Sequence, residues 1–93
     1  MSIFVKDPGA ALDYAIDWAA GYLGTQTISV SDWSVVPQDE DGLLLGAARI
    51  EEGRTIVSLA GGQRGCVYRV TNSVTFSDGG HDERMLVVRV EDR

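Results

Sequence analysis

Apolar and polar residues alternate along much of this chain, and the alternation predicts β-strands. The clearest segment follows Gly65, where one parity is apolar and the other is mostly polar. A period of two is typical of a strand with one buried face. We therefore predict a long antiparallel strand, bulged near Asn72. Its apolar parity comprises Cys66, Tyr68, Val70, Val74 and Phe76.

A hairpin is predicted after this strand. Ser77-Asp78-Gly79-Gly80 contains an Asp-Gly pair, which tolerates positive φ, and Arg84–Val90 returns as the last strand. Turn signals recur about every 8–12 residues upstream, which is typical of a β-sandwich, here of six or seven strands. The other predicted strands are Leu12–Trp18, Thr25–Val30 continued by Trp33–Val36 after a kink at Ser31-Asp32, Leu43–Ile50 and Arg54–Ala60.

The first part of the chain allows two interpretations. Residues 12–18 alternate as a strand does, with aromatic side chains at period two, but Leu12, Ile16, Ala19 and Leu23 also suit one face of a helix. We favour the strand because aromatic residues are enriched in pleated sheets, and we expect at most a short helical turn near 19–23. The predicted organisation is an N-terminal arm at 1–8 and one β-sandwich domain at 9–93.

Large apolar side chains on the inward parities define a candidate core. Tyr68 stands near the start of a late strand, where it resembles the tyrosine corner of sandwich domains, whose phenol bonds to the backbone of the preceding loop. The alternative is a tyrosine that only fills the core. The predicted structural core comprises Tyr14, Ile16, Trp18, Trp33, Tyr68 and Val70.

Charge and composition narrow the range of partners. The 93 residues carry a net charge of −6, with one lysine and seven arginines. Binding to nucleic acid or to an anionic membrane needs clustered cations, so neither partner is expected. No apolar run approaches the ~20 residues that span a membrane, and no signal peptide is visible. We expect the protein to be made in the cytoplasm of the cell that produces it.

No residue pattern predicts catalysis or a cofactor. His81 has Asp78, Asp82 and Glu83 nearby, but one histidine beside loop carboxylates is a weak zinc signal. Cys66, the single cysteine, falls on an apolar parity and reads as a small buried side chain. Gly61–Gly65 lacks the Lys-Ser/Thr ending of a phosphate-binding loop. The prediction is no enzyme, no metal site and no cofactor.

Several motifs occur in a fixed order along the chain. These are Lys6-Asp7-Pro8, Leu12-Asp13-Tyr14-Ala15-Ile16-Asp17-Trp18, Tyr22-Leu23, Thr27-Ile28, Ser31-Asp32-Trp33 and the block from Gly61 to Asn72, followed by alternating Val and Arg at the end. In this the sequence resembles a family of small tailed-bacteriophage proteins, the fiber–tail adaptor or head–tail joining-type proteins. One departure is Tyr22, where the family usually has Trp.

The resemblance implies an immunoglobulin-like (fibronectin III-like) antiparallel β-sandwich and a structural role in the virion. Its partners would be other virion proteins of the tail, fiber or connector, with copies placed by a symmetric ring. We expect the arm to reach a neighbour through Ile3, Phe4 and Val5, by adding a strand to the edge of a sheet. The resemblance supplies no catalytic positions.

A second function class remains open at the level of sequence. A bacterial immunoglobulin-like module that binds carbohydrate or a surface protein would have the same strands. It would expose an aromatic platform, with Trp18, Tyr22 or Trp33 accessible for stacking.

Overall fold

The strands of the chain are seen in a computed structural model that describes residues 2–19 and 27–91. Within these residues there are seven strands and no helix, which confirms the all-β fold class. The predicted helical turn near 19–23 lies almost wholly outside the described residues. The strands are β1 (Ser2–Lys6), β2 (Leu12–Asp17), β3 (Ile28–Val36), β4 (Leu43–Glu51), β5 (Arg54–Gly61), β6 (Val67–Phe76) and β7 (His81–Val90).

The strands form two sheets, which confirms the predicted β-sandwich. Sheet A has the order β1-β7-β6-β3, and sheet B has the order β2-β5-β4. All pairs are antiparallel except β1 and β7, which run parallel. Most connections cross from one sheet to the other, as in the Greek-key arrangement of immunoglobulin-like domains. The first strand joins the sheet that contains the last one.

The N-terminal segment differs from the predicted arm. Ser2–Lys6 pair with Leu86–Val90 of the same chain, so this strand belongs to sheet A. The end of β1 is also fixed by Lys6, whose buried ammonium donates hydrogen bonds to the carbonyl oxygens of Asp7 at 2.9 Å and Gly61 at 2.7 Å. Burial lowers the pKa of Lys6, and the carboxylate of Asp7 partly offsets this. These contacts fasten β1 to the end of β5.

The bulge predicted near Asn72 and the kink predicted at Ser31-Asp32 are not found at those positions. The register of β6 with both neighbours is unbroken through Asn72, so no bulge occurs there. Ser31 and Asp32 pair regularly with Val74 and Ser73, and the irregularity in β3 lies between Ile28 and Val30 instead. Asn72 stays on the inner face because its amide finds partners there. The last strand is longer than predicted and begins at His81.

The core lies between the two sheets. Trp18 has 0% of its surface exposed and sits near one end of the sandwich, directly after β2. Of the side chains expected in the core, five are buried, and Trp33 is partly buried against the same cluster. The buried five are Tyr14, Ile16, Trp18, Tyr68 and Val70.

Tyr68 fills the core and also fixes a loop. Its side chain is buried, and its phenol oxygen accepts a hydrogen bond from the backbone N–H of Gln63 at 2.9 Å. Gln63 lies in the connection between β5 and β6, so the contact has the form of the predicted tyrosine corner. A hydrogen bond of this kind contributes about 1 kcal/mol.

Two glycines of this connection allow a matched test of packing. Gly62 and Gly65 both have positive φ, at +97° and +85°, but a Cβ on Gly62 would lie 2.6 Å from Val90 Cγ2 while one on Gly65 would meet nothing within 4 Å. We expect Gly65→Ala to cost about 1 kcal/mol through backbone strain alone, and Gly62→Ala about 2–4 kcal/mol because overpacking is added. Urea unfolding of both variants checks this, and equal losses would contradict it.

Candidate interaction surface

Reactive side chains do not cluster in the described parts of the chain. Across residues 2–19 and 27–91, no three His, Cys, Asp or Glu side chains are arranged to hold a metal ion. His81 is exposed, and its Nδ1 lies 3.1 Å from the hydroxyl of Thr75. Cys66 is partly buried beside the core. A membrane-spanning helix is also absent from these residues.

One open groove lies where β2 of sheet B faces β7 of sheet A. It has a volume of about 840 Å³ and is lined in part by Phe4, Ile16, Arg84 and Met85. The guanidinium of Arg84 lies 4.7 Å from the centre of the Trp18 ring. Because Trp18 has no exposed surface, it cannot stack on a sugar or a base.

The platform expected of a carbohydrate-binding module is therefore not offered by Trp18. Trp33 is partly buried, and its Nε1 has no hydrogen-bond partner. Tyr22 lies outside the described residues. Both described tryptophans contribute to the sandwich interior, which favours a scaffold role for them.

A buried polar network joins the two sheets beside Trp18. The indole N–H of Trp18 donates to Thr55 Oγ1 at 3.0 Å and to Asn72 Oδ1 at 3.2 Å. The hydroxyl of Thr55 donates to the same Asn72 oxygen at 2.6 Å. The amide nitrogen of Asn72 donates to Ser31 Oγ at 2.9 Å and to the carbonyl of Asp32 at 3.0 Å. Thus a residue after β2 and residues of β3, β5 and β6 are held in one fixed arrangement.

The three residues predicted to contact a partner do not share one face. Ile3 and Val5 lie opposite Val87 and Arg89, on the outer face of sheet A. Phe4 has the opposite parity, and its ring packs edge-on against Tyr14 at 5.1 Å. Ile3 is 66% exposed and Val5 is 40% exposed. Only Ile3 and Val5 therefore present their side chains on that outer face.

The register of sheet A brings other aliphatic residues beside Ile3 and Val5. Across the four strands, Ile3 lies opposite Val87, Val87 opposite Arg69, and Arg69 opposite Val36. The next row runs from Val5 through Arg89 to Val67. We call these two rows the arginine–aliphatic face, which consists of Ile3, Val5, Val36, Val67, Arg69, Val87 and Arg89.

The arginine–aliphatic face combines exposed aliphatic side chains with positive charge. Val36 is 63% exposed and Val67 is 49% exposed, so four of its aliphatic side chains are large and accessible. Several large exposed aliphatic side chains on one face mark a candidate protein contact site. Further along the same face, Glu83, Ser73 and Asp32 form an acidic row. The face therefore carries positive charge at one end and negative charge at the other.

Sequence reasoning missed Val36, Val67, Arg69 and Arg89 as surface candidates. The alternation in β6 did assign Arg69 to the polar parity. What it did not provide was the lateral register, which places Arg69 between Val87 and Val36. The available signal was the exposed parity of the last two strands, where Val and Arg occur together.

Fold and surface together define a small β-sandwich module whose exposed features are a sheet face and strand edges. A family model described as podophage GP4 fiber-tail adaptor protein gp77 matches residues 6–89. The chain belongs to this family of bacteriophage structural adaptors, which confirms the resemblance read from its motifs. A comparison with curated proteins found no match.

The range matched by the family model can be placed on the structure. It includes Trp18, Thr55 and Asn72, and so contains the whole buried polar network. It also includes Arg69 and Arg89, whereas Ile3 and Val5 precede its first residue. The motifs that carried the resemblance thus contain residues that hold the sandwich together.

Proposed function

We propose that this chain is a component of the virion that joins the tail to a fiber or connector protein through protein–protein contacts, without enzymatic activity. The observation that carries this proposal is the exposed arginine–aliphatic face on a sandwich whose two sheets are joined by buried hydrogen bonds. Membership of the fiber–tail adaptor family supports it. Binding to other tail proteins and location in the phage particle follow from the family.

In this proposal β1 contacts the partner protein through its side chains and does not add a strand to the partner's sheet. Because β1 is hydrogen-bonded to β7 of its own chain, its main chain is already paired on that side. Contact is made by the outward side chains of Ile3 and Val5.

The proposal further includes synthesis in the host cytoplasm, copies placed in a ring, and partners that are neither nucleic acid nor membrane.

The direct test of the proposed function is peptide mass spectrometry on purified, nuclease-treated particles of the source phage. We expect stoichiometric recovery of this chain with the tail proteins. Recovery only from the infected lysate, and not from intact particles, would overturn the proposed function.

A double substitution tests the role of β1 in particles. Ile3→Asp with Val5→Asp should reduce incorporation at least about tenfold, because charges would be buried against the partner. The matched control is Leu44→Asp, which changes a 48% exposed aliphatic residue on the outer face of sheet B. Thermal unfolding of each purified variant checks that folding persists. Equal incorporation of the double variant and the control would contradict a contact through Ile3 and Val5.

A further inference from the structure

We propose that the arginine–aliphatic face binds a partner surface that combines aliphatic side chains with carboxylates. This inference rests on the proposed function, since it names the chemistry of the partner of that same face. It commits to a second protein of the particle. Nucleic acid and a second copy of this chain are the alternatives that the experiment must exclude.

The geometry gives the face two components that act together. Arg69 lies between Val87 and Val36, and Arg89 lies between Val5 and Val67, so each guanidinium is flanked by aliphatic side chains in its row. Apolar burial supplies affinity, and a charge within an apolar surround gives specificity and orientation. An arginine placed in this way favours a carboxylate, which it can bind through two parallel N–H bonds.

The charges of the face are available for a partner. Among the described residues Arg69 makes no ion pair, and Arg89 pairs with Glu91 at 3.9 Å. That pair is solvent-exposed, with about half of each side chain accessible, and such pairs contribute little. Arg49, on the other sheet, is equally exposed but has two carboxylates within reach, Asp13 at 3.5 Å and Glu51 at 3.0 Å. Within a chain of net charge −6, this face is a local cationic site.

Other occupants fit the face less well. A nucleic acid backbone needs several clustered cations, whereas these two rows contribute two arginines and the same face carries Glu83 and Asp32 two rows beyond Arg69. A two-fold contact of this face with itself, centred on the two rows, would bring arginines toward arginines. A two-fold contact centred nearer the acidic row would avoid this repulsion but move the aliphatic side chains off the centre, and the dimer measurement below tests it. An acidic and apolar partner satisfies both components of the face without such repulsion.

The experiment uses particles grown from a phage with a nonsense codon in this gene, which lack the protein. Labelled purified chain is added to nuclease-treated particles, and bound chain is measured after sedimentation. We expect the doubly substituted variant Arg69→Glu, Arg89→Glu to bind at least about tenfold more weakly than wild type at roughly 0.15 M salt. Wild-type binding should weaken as salt is raised. The control is Arg54→Glu, which reverses one charge on the outer face of sheet B.

The outcomes separate this inference from the proposed function. If the wild-type chain does not bind the particles at all, the proposed function fails. If wild type binds and the double variant binds equally well, the function stands and this inference is overturned. It is also overturned if binding is independent of salt, if nuclease-treated particles bind markedly less chain than untreated particles do, or if Arg69→Glu, Arg89→Glu abolishes a dimer seen in sedimentation equilibrium. A folded double variant, shown by unchanged thermal unfolding, is required for each comparison.

Discussion

Trp18→Ala should remove a large share of the stability of this domain. Trp18 has no exposed surface, its indole N–H donates to Thr55 and Asn72, and its ring packs edge-on against Phe76 at 6.0 Å. Truncating a buried tryptophan costs about 3–5 kcal/mol, and disrupting the buried hydrogen bonds adds about 1 kcal/mol. A domain of this size has roughly 5–14 kcal/mol of stability. Urea unfolding monitored by circular dichroism should show a loss of about 4–6 kcal/mol, a large share of that stability.

Phenylalanine substitutions separate the contribution of the aromatic ring to stability from the contribution of the indole N–H group. Trp18→Phe keeps an aromatic side chain but removes the donor to Thr55 and Asn72, so we expect a loss of about 2–3 kcal/mol. Trp33→Phe is the matched control, because the Nε1 of Trp33 has no hydrogen-bond partner. It should cost about 1 kcal/mol or less. If Trp33→Phe proved the more destabilising of the two, the importance assigned to the network around Trp18 would be wrong.

Alternation along the chain was sufficient to predict the sandwich. The inner positions of β6 follow the predicted parity from Tyr68 to Phe76, and the tyrosine corner follows from one residue and its place in the strand. Asn72 was misjudged because a polar residue on an apolar parity suggested a bulge. In the structure its amide is satisfied by residues more than 15 positions away in sequence, so no local pattern could show its partners.

The candidate surface was predictable only in part. Ile3 and Val5 could be identified from the sequence as apolar residues in an exposed segment, but their pairing with β7 could not, because parallel pairing of distant strands leaves no local signal. Phe4 was grouped with them, and its parity turns it toward Tyr14 instead. The arginine–aliphatic face is created by the register of four strands, so it becomes visible only when their lateral order is known.

Asn72→Asp should be the most damaging change that preserves side-chain size. The amide nitrogen of Asn72 donates to Ser31 Oγ and to the carbonyl oxygen of Asp32. Replacing it by a carboxylate oxygen removes a donor from that carbonyl and places a negative charge in a site with no exposed surface. An uncompensated buried charge costs about 3–5 kcal/mol. We expect a loss of this size at neutral pH in urea unfolding.

The pH dependence of this loss distinguishes a buried charge from a simple packing defect. Burial should raise the pKa of the introduced carboxyl group above its unfolded value of about 4. The folded variant then holds more protons than the unfolded one between these two pKa values, so its stability relative to wild type falls as pH rises through that window. The penalty is therefore full above the raised pKa, shrinks as the pH falls from that value toward about 4, and is smallest below about 4, where the carboxyl group is protonated in both states. Thr71→Asp adds the same charge one residue away on the outer face of β6, and it should cost under about 1 kcal/mol with no such recovery in acid. A loss at Asn72→Asp that is the same at every pH would mean that packing, and not the hydrogen-bond network, makes this position critical.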